Sequence, residues 1–180
     1  IDPEQLLFVG RLAPQKGVDV LVDAMVRVRA RCPGARLVVA GEGPSGPELV
    51  ALSRANGVDD AISFLGKVAS AEVRRLMATS TAVVMPSRYE GLPLVALEAA
   101  FAARPVIGTD VPGLSEAVVD GSTGVLVPSG DPDALADAIV GLLGAPARAQ
   151  RLGTAARRRA AEEYGFTRCL ETYERTYRRL

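Results

Sequence analysis

The sequence contains no histidine, and this absence excludes several kinds of catalytic site. Histidine is the commonest general base in enzymes and a frequent metal ligand. Neither a Ser-His-Asp triad nor a histidine-based zinc site can therefore be built from this chain alone.

An excess of charge of one sign and long apolar runs are also lacking. The 21 basic residues balance the 21 acidic ones. No overall field attracts nucleic acid or an anionic membrane, so we expect no nucleic-acid partner and only a local anion site. There is no run of 18 apolar residues and no secretory leader pattern, so we expect a cytoplasmic location without a transmembrane segment.

Cysteine and lysine are scarce. Cys32 and Cys169 lie far apart without the spacing of metal ligands, and we expect both to be reduced, as in a cytosolic protein. Lys16 and Lys67 are the only lysines beside 19 arginines, which makes each lysine a candidate functional residue.

Short apolar segments alternate with helical patterns throughout the 180 residues, of which 48% are hydrophobic. The length predicts one domain with a substantial core. Strands are predicted at 6–10, 35–41, 61–66, 81–87, 105–110 and 123–128, and helices at 17–31, 47–56, 70–79, 93–103 and near 114–119. Because the strands are almost entirely apolar, they indicate a parallel sheet covered on both faces. The predicted fold is a doubly wound, Rossmann-like α/β sheet.

Three further helices are predicted after the sixth strand. The first begins in "GDPDALADAIVGLL", with Asp131 as its cap and Pro132 at its first position. Near the end of the chain an apolar stripe at helical spacing predicts a packing face, formed by Leu170, Tyr173, Tyr177 and Leu180.

The segment "GEGPSG", residues 41–46, has the G-x-G-x-x-G spacing of a dinucleotide-binding loop. That loop normally follows the first strand, whereas this one follows the second, and the next strand ends in Gly66-Lys67 rather than an acidic residue. Pro47 also removes a backbone amide that a pyrophosphate would need. We therefore favour a tight glycine turn over NAD binding.

The loop after the first strand reads "GRLAPQKG" and carries two cations at the carboxyl edge of the sheet. Arg11 offers a planar fork and Lys16 a point charge, a combination suited to a diphosphate. A solvated surface loop explains the same residues equally well.

The segment "PSRYEGLPLVALEAAFA", residues 86–102, places a glycine turn before an apolar helix. With Pro93 as the first helical residue, the positive end of the helix and the amides of Gly91 and Leu92 would face the cleft and accept an anion. Glu98 lies about five residues further, roughly 7 to 8 Å along the axis. We expect it to be a buried, lone carboxylate that a ribose with two adjacent hydroxyls would satisfy.

Glu90 precedes the glycine turn and would lie on the other side of the phosphates, where a donor sugar would be. Each glutamate also has an ordinary explanation: a surface acid for Glu90, and for Glu98 a salt bridge to an arginine elsewhere. A glycosidase pair is disfavoured, because its carboxyls lie about 5 to 9.5 Å apart across one bond and here a helix start intervenes.

Taken together, the motifs resemble the C-terminal, donor-binding half of the GT-B retaining glycosyltransferases of group 1, also called family 4. The resemblance covers essentially the whole chain and rests on "VGRLAPQKG", "VVAGEGP", "FLGKV", "PSRYEGLPLVALEAAFAARPVIGTDVPGLSE" and "DGSTGVLVPSGDP". Its most specific element is the E-x7-E spacing of Glu90 and Glu98, combined with the Gly-Arg…Lys-Gly loop.

The resemblance implies roles for individual residues. Arg11 and Lys16, next to Gly10, would hold the donor diphosphate and stabilise it as a leaving group, with Gly91 and Leu92 assisting. It further implies Glu90 on donor-sugar hydroxyls, Glu98 on the ribose, and a nucleobase lined by Gly66, Lys67 and Val68. Arg11, Lys16 and Glu90 would be the residues that take part in catalysis.

The resemblance also implies an activity and its partners. The donor would be a nucleoside diphosphate sugar, with UDP or GDP as the expected nucleotide. Transfer of a hexose would retain the anomeric configuration without a cofactor or a bound metal ion. All 180 residues form one donor-binding domain in this interpretation. The acceptor-binding N-terminal domain is absent from the chain, so the isolated domain should be almost inactive, and any peripheral membrane contact would come from that absent half. The alternatives are a sugar-nucleotide epimerase, which product analysis would distinguish, and a non-catalytic nucleotide-sugar-binding module.

Overall fold

The computed structural model describes residues 1–165 and Tyr177. All six predicted strands are present: β1 (Gln5–Val9), β2 (Arg36–Ala40), β3 (Ile62–Gly66), β4 (Ala82–Met85), β5 (Val106–Thr109) and β6 (Gly124–Val127). The helices between and after them are α1 (Val18–Arg31), α2 (Gly46–Ala55), α3 (Ser70–Thr79), α4 (Leu94–Phe101), α5 (Leu114–Ala117), α6 (Pro132–Leu143) and α7 (Pro146–Tyr164).

The strands form one parallel sheet in the order β3-β2-β1-β4-β5-β6. The strand order reverses between β1 and β4, which pair through Leu6 and Ala82. In doubly wound sheets, ligands bind beyond the carboxyl ends of the strands at such a reversal. The fold prediction is confirmed, and the topology directs attention to the loops after β1 and β4.

Two apolar clusters cover the faces of the sheet. Leu6 and Phe8 of β1 pack on the face that holds α1 and α6, whereas Leu7 packs on the opposite face with α3 and α4. Successive side chains of a strand point to opposite faces. A central strand between two helical layers must therefore be apolar at every position, which is the pattern seen in the sequence.

The edge strand β3 departs from this pattern. Ser63 and Leu65 are exposed, although the strand was expected to be covered on both faces like the others. Both residues point to the same face of the sheet. The helical layer on that face does not extend over the outermost strand.

Two helix starts were predicted in detail. Asp131 caps α6 as expected: its Oδ1 accepts hydrogen bonds from the amides of Asp133 and Ala134, at 3.0 and 2.9 Å. Pro93 differs, because its ψ of 71° is not helical and makes it the N-cap of α4 rather than its first residue.

Part of the predicted C-terminal region lies outside the described residues. The last predicted helix lies there, as do Leu170, Tyr173 and Leu180 of its apolar stripe and Cys169. Tyr177, the fourth residue of the stripe, is described and is exposed. Cys32 forms no disulfide within the described residues. Within residues 1–165, each helix is too short or too polar to cross a membrane.

Candidate functional site

The loops that follow β1 and β4 lie against each other at the reversal of strand order. The β1 loop forms a 3₁₀ turn at Pro14–Lys16 and then reaches Gly17, whose φ is +63°. A Cβ at Gly17 would lie 2.0 Å from the carbonyl oxygen of Pro86, so only glycine allows this approach. The amide of Arg88 also donates to the Gln15 carbonyl at 2.8 Å. The two loops therefore act as one unit.

This contact brings together two of the three candidate catalytic residues, Lys16 and Glu90. The Lys16 ammonium lies 2.7 Å from Glu90 Oε1, and the two side chains are 24% and 5% exposed. Ser87 Oγ donates to the same carboxylate oxygen at 2.6 Å. Glu90 is thus a nearly buried carboxylate, held by a cation and a hydroxyl, and not the surface acid that was the alternative explanation.

Ser87 is a site residue that the motif analysis missed. Its backbone carbonyl accepts a hydrogen bond from the Thr109 hydroxyl at the end of β5, and its side chain is directed to Glu90. The available signal was its position, since it is a buried polar residue just after the fully buried strand β4 and three residues before the glutamate.

A cavity of about 200 Å³ lies beside this pair. Its lining includes Gly10 and Arg11 from the β1 loop and Leu92 from the segment just before α4. Arg11 is exposed and forms no ion pair within the described part of the chain. Gly91 is exposed next to Leu92 and does not line the cavity. Among the described residues, the cavity therefore has one guanidinium without an ion pair and one ammonium that is already paired with Glu90.

A second cavity, of about 290 Å³, continues from the first across the carboxyl ends of β1 and β2. It shares Gly10 and Arg11 with the first cavity and is also lined by Lys67 and Val68. Gly66 does not line this cavity, and its carbonyl accepts a hydrogen bond from the amide of Gly41, a lining residue, at 2.8 Å. The predicted nucleobase segment thus adjoins the predicted diphosphate site.

Glu98 lies in a third and larger cavity of about 540 Å³, formed between α3 and α4. The carboxylate is exposed, so the prediction that it is buried was wrong. The buried face of α4 consists of Ala96, Ala99 and Ala100, which pack inward, and Glu98 faces away from them. Since no ion pair of Glu98 exists among the described residues, the alternative of an internal salt bridge finds no support either.

The three cavities adjoin one another at Val9, the last residue of β1, which lines all of them, and we refer to them together as the cleft. Arg74 on α3 lines the same cavity as Glu98 and was not anticipated from the sequence.

Within residues 1–165, no group of three or more Asp, Glu or Cys side chains could hold a metal ion.

The "GEGPSG" segment is explained by packing between loops. A Cβ at Gly41 would lie 1.8 Å from the Gly10 carbonyl oxygen, and one at Gly43 would lie 2.2 Å from that of Leu12. Leu12 and Glu42 are joined by a backbone hydrogen bond of 2.9 Å. These glycines let the β2 loop approach the β1 loop, as expected for the glycine-turn interpretation.

Arg88 and Asp19 form a bidentate ion pair near the site. The guanidinium donates to both carboxylate oxygens of Asp19, at 3.0 and 2.6 Å. This hydrogen bonding lowers the pKa of Asp19 below its ordinary value of 3.8 and raises the pKa of Arg88. The pair lines a separate cavity of about 320 Å³ between α1 and α2, outside the cleft.

Comparison with known proteins agrees with this architecture. Residues 3–145 match the profile of the family described as glycosyl transferases group 1. A glycogen synthase of Mycobacterium tuberculosis is 41% identical over 164 residues, which are 91% of this chain and 40% of that protein. An α-D-kanosaminyltransferase of Streptomyces kanamyceticus is 32% identical over 97% of this chain and 45% of its own length.

Solved structures show the same fold. HepE of Anabaena, in complex with UDP-glucose, superposes with a TM-score of 0.89 at 23% identity over 98% of this chain and 49% of that chain. The C-terminal domain of the group 1 protein LpcC from Francisella tularensis superposes with a TM-score of 0.82 at 25% identity, over 92% of this chain and 89% of that one. This chain spans less than half the length of the two curated relatives named above. Because the family profile matches most of the chain and the fold is shared, the chain belongs to the group 1 glycosyltransferases of GT-B fold.

Proposed function

We propose that this chain is the donor-binding domain of a retaining hexosyltransferase whose donor is a nucleoside diphosphate sugar. The observation that carries the proposal is the meeting of Lys16 and Glu90, from two different loops, beside the start of α4. A diphosphate in the 200 Å³ cavity would lie next to both Lys16 and Arg11. The cavities on either side offer room for a sugar-linked nucleoside.

The cations of this site and the start of α4 are placed to stabilise the negative charge on a leaving diphosphate. Preorganised cations and helix dipoles are most effective where negative charge develops during the reaction. Arg11 and Lys16 would supply those cations, and the start of α4 would add its partial positive charge. A resident metal ion is not needed for this role in our proposal.

The carboxylates of Glu90 and Glu98 could accept hydrogen bonds from the hydroxyl groups of the donor. Glu90 is held in one orientation by Lys16 and Ser87, and would accept hydrogen bonds from the sugar. Glu98 would accept hydrogen bonds from the ribose in the adjoining cavity. Because Glu98 is exposed, a ligand could reach it without any rearrangement of the domain.

The choice of UDP or GDP as the nucleotide is part of the proposal. HepE, which shares the fold, was solved with UDP-glucose. We also propose that the acceptor-binding domain lies outside this chain, since the chain covers 40% of the M. tuberculosis glycogen synthase. The isolated chain should then bind its donor weakly and transfer little sugar, and its place of action would be the cytoplasm.

Calorimetry on the 180-residue chain with UDP, GDP, ADP and the corresponding nucleosides tests the proposal. Arg11→Ala and Lys16→Ala should each weaken diphosphate binding about 10- to 100-fold, since hydrogen bonds to charged groups contribute about 1.5 to 3 kcal/mol. Nucleoside binding should hardly change. Arg31→Ala, which removes an exposed ion pair with Asp137, is the control and should bind like the parent.

Two results would contradict the proposal. The first is a parent chain that binds none of the three diphosphates at millimolar concentration. The second is diphosphate binding that is unchanged in both the Arg11 and Lys16 variants, which would move the phosphate site elsewhere.

A further inference from the structure

We propose that Arg88 is a positioning residue for the diphosphate site: with Asp19 it clamps the β1 loop to the β4 loop and so holds Lys16 opposite Glu90. This inference rests on the proposed function. It adds a residue that would never contact the donor and yet would determine how well the donor binds.

Arg88 joins the two loops through both its side chain and its backbone. Its guanidinium donates to the two oxygens of Asp19 and to the carbonyl oxygen of Pro14. Its backbone amide donates to the Gln15 carbonyl at 2.8 Å. The Gln15 side chain in turn donates to the Tyr89 carbonyl at 3.3 Å.

These contacts lie on both sides of Lys16 along the chain. Pro14 and Gln15 immediately precede it, and Asp19 follows it in the first turn of α1. Arg88 itself is two residues from Glu90. The clamp therefore restrains the backbone at both ends of the pair whose side chains meet at 2.7 Å.

The chemistry of arginine suits this task. A guanidinium has a planar fork of donors that binds a carboxylate through two parallel hydrogen bonds and still has donors for a carbonyl. A lysine could neutralise Asp19 but could not fix the relative orientation of the two loops in this way.

Arg88 is outside the cleft, which makes its role testable. It does not line the 200 Å³ cavity of Lys16 and Glu90, and it lines the separate cavity between α1 and α2. An effect of Arg88 on diphosphate binding would then act either through other residues or through its charge at a distance. If it passes through Lys16, removal of Lys16 should abolish it.

A purely structural role predicts a different outcome. The side chains of Arg88 and Asp19 are 40% and 45% exposed, and exposed ion pairs contribute little to stability. We therefore expect replacement of Arg88 to leave the melting temperature close to that of the parent while it weakens diphosphate binding. A residue that only supports the fold would lower stability and affect all ligands alike.

The experiment is a double-mutant cycle measured by calorimetry with UDP and uridine. Arg88→Ala should weaken UDP binding about 3- to 10-fold, a coupling of the size seen between residues of one network. Uridine binding should not change. In the Lys16→Ala background, Arg88→Ala should have no further effect, and Arg31→Ala should match the parent throughout.

Hydrogen exchange provides a readout that needs no ligand. The amides of Lys16, Gly17 and Arg88 donate to backbone carbonyls of the β1 loop, and should exchange faster in Arg88→Ala than in the parent. If Arg88→Ala fails to fold, Asp19→Ala removes the ion pair while the bond from Arg88 to Pro14 is kept.

The outcomes separate the two proposals. A parent that binds no nucleoside diphosphate overturns the proposed function, and exchange alone then decides the clamp. Unchanged exchange at these three amides, UDP binding equal to that of the parent, or a loss that persists without Lys16 would each overturn the clamp.

Discussion

Lys16 Nζ donates to Glu90 Oε1 at 2.7 Å across 74 residues of sequence, and the carboxylate it contacts is 5% exposed. The ammonium that would bind a diphosphate is thus already paired with an internal anion. This pairing has consequences for the stability of the unliganded domain as well as for the ligand.

Lys16→Met should destabilise the domain by about 1 to 3 kcal/mol, because it leaves the Glu90 carboxylate with Ser87 as its remaining partner in a buried position. Urea unfolding measures the effect. The double variant Lys16→Met/Glu90→Gln should recover most of the loss, since the buried charge is then gone.

Arg11→Ala is the matched control for this prediction. Arg11 belongs to the same loop but is exposed, so its removal should change the free energy of unfolding by less than about 0.5 kcal/mol. Equal stability of the Lys16 and Arg11 variants would show that the buried pair contributes nothing.

Glu98→Leu should leave the stability of the domain within about 0.5 kcal/mol of the parent, because the carboxylate is exposed. UDP or GDP binding should weaken about 10- to 100-fold if Glu98 holds the ribose. A diphosphate that lacks both ribose hydroxyls should bind parent and variant equally. Glu48→Leu on α2, which lines a different cavity, is the control, and a comparable loss there would argue against a specific ribose contact.

Asp19→Asn should reduce the acid sensitivity of the fold. Arg88 lowers the pKa of Asp19 from 3.8, so the ionised carboxylate stabilises the folded state fully above that value, and the contribution disappears as the pH falls through the lowered pKa. The parent should be slightly more stable than the variant at about pH 7, and the difference should vanish at low pH. Urea unfolding across this range tests the sign, and a difference that grows on acidification would contradict it.

Gly113→Ala should disturb the Glu90-Gly91 turn. Gly113 has a φ of +82°, and a Cβ there would lie 2.5 Å from the Gly91 carbonyl oxygen and 2.8 Å from that of Glu90. We expect a loss of more than about 1 kcal/mol of stability, together with weaker diphosphate binding. Gly121→Ala is a good control, because Gly121 has a φ of +68° but no atom of the described residues lies within 4 Å of its added Cβ. If both variants bind UDP equally well, the close contact has no functional role.

Ala103→Gly should stabilise the domain by about 0.5 to 1 kcal/mol. Ala103 follows α4 with a φ of +55°, a left-handed conformation that costs a residue with a Cβ about 1 to 2 kcal/mol, partly offset by the greater entropy of glycine in the unfolded chain. Ala102→Gly, at a φ of −76°, lacks this strain and should be destabilising. Thermal unfolding of the two neighbours gives opposite signs if the argument is correct.

The local sequence was sufficient to predict the strands and most helix boundaries. An apolar segment bounded by turn residues indicates a buried strand wherever it lies, and Asp131 before Pro132 indicates a helix start without reference to the rest of the chain. It also placed Arg11, Lys16 and Glu90 in loops at the carboxyl edge of a parallel sheet. These predictions depend on residues that are close together in the chain.

Other features were decided by the tertiary structure. Glu98 is exposed because the alanine face of α4 turns inward, and helical periodicity within an apolar segment did not reveal which face that would be. The Lys16–Glu90 pair and the Arg88–Asp19 clamp both depend on β1 lying next to β4, whereas the bond from Ser87 to Glu90 lies within the β4 loop. Spacing along the chain specifies which side chains stand at the ends of strands, but the order of strands in the sheet determines which of those ends meet.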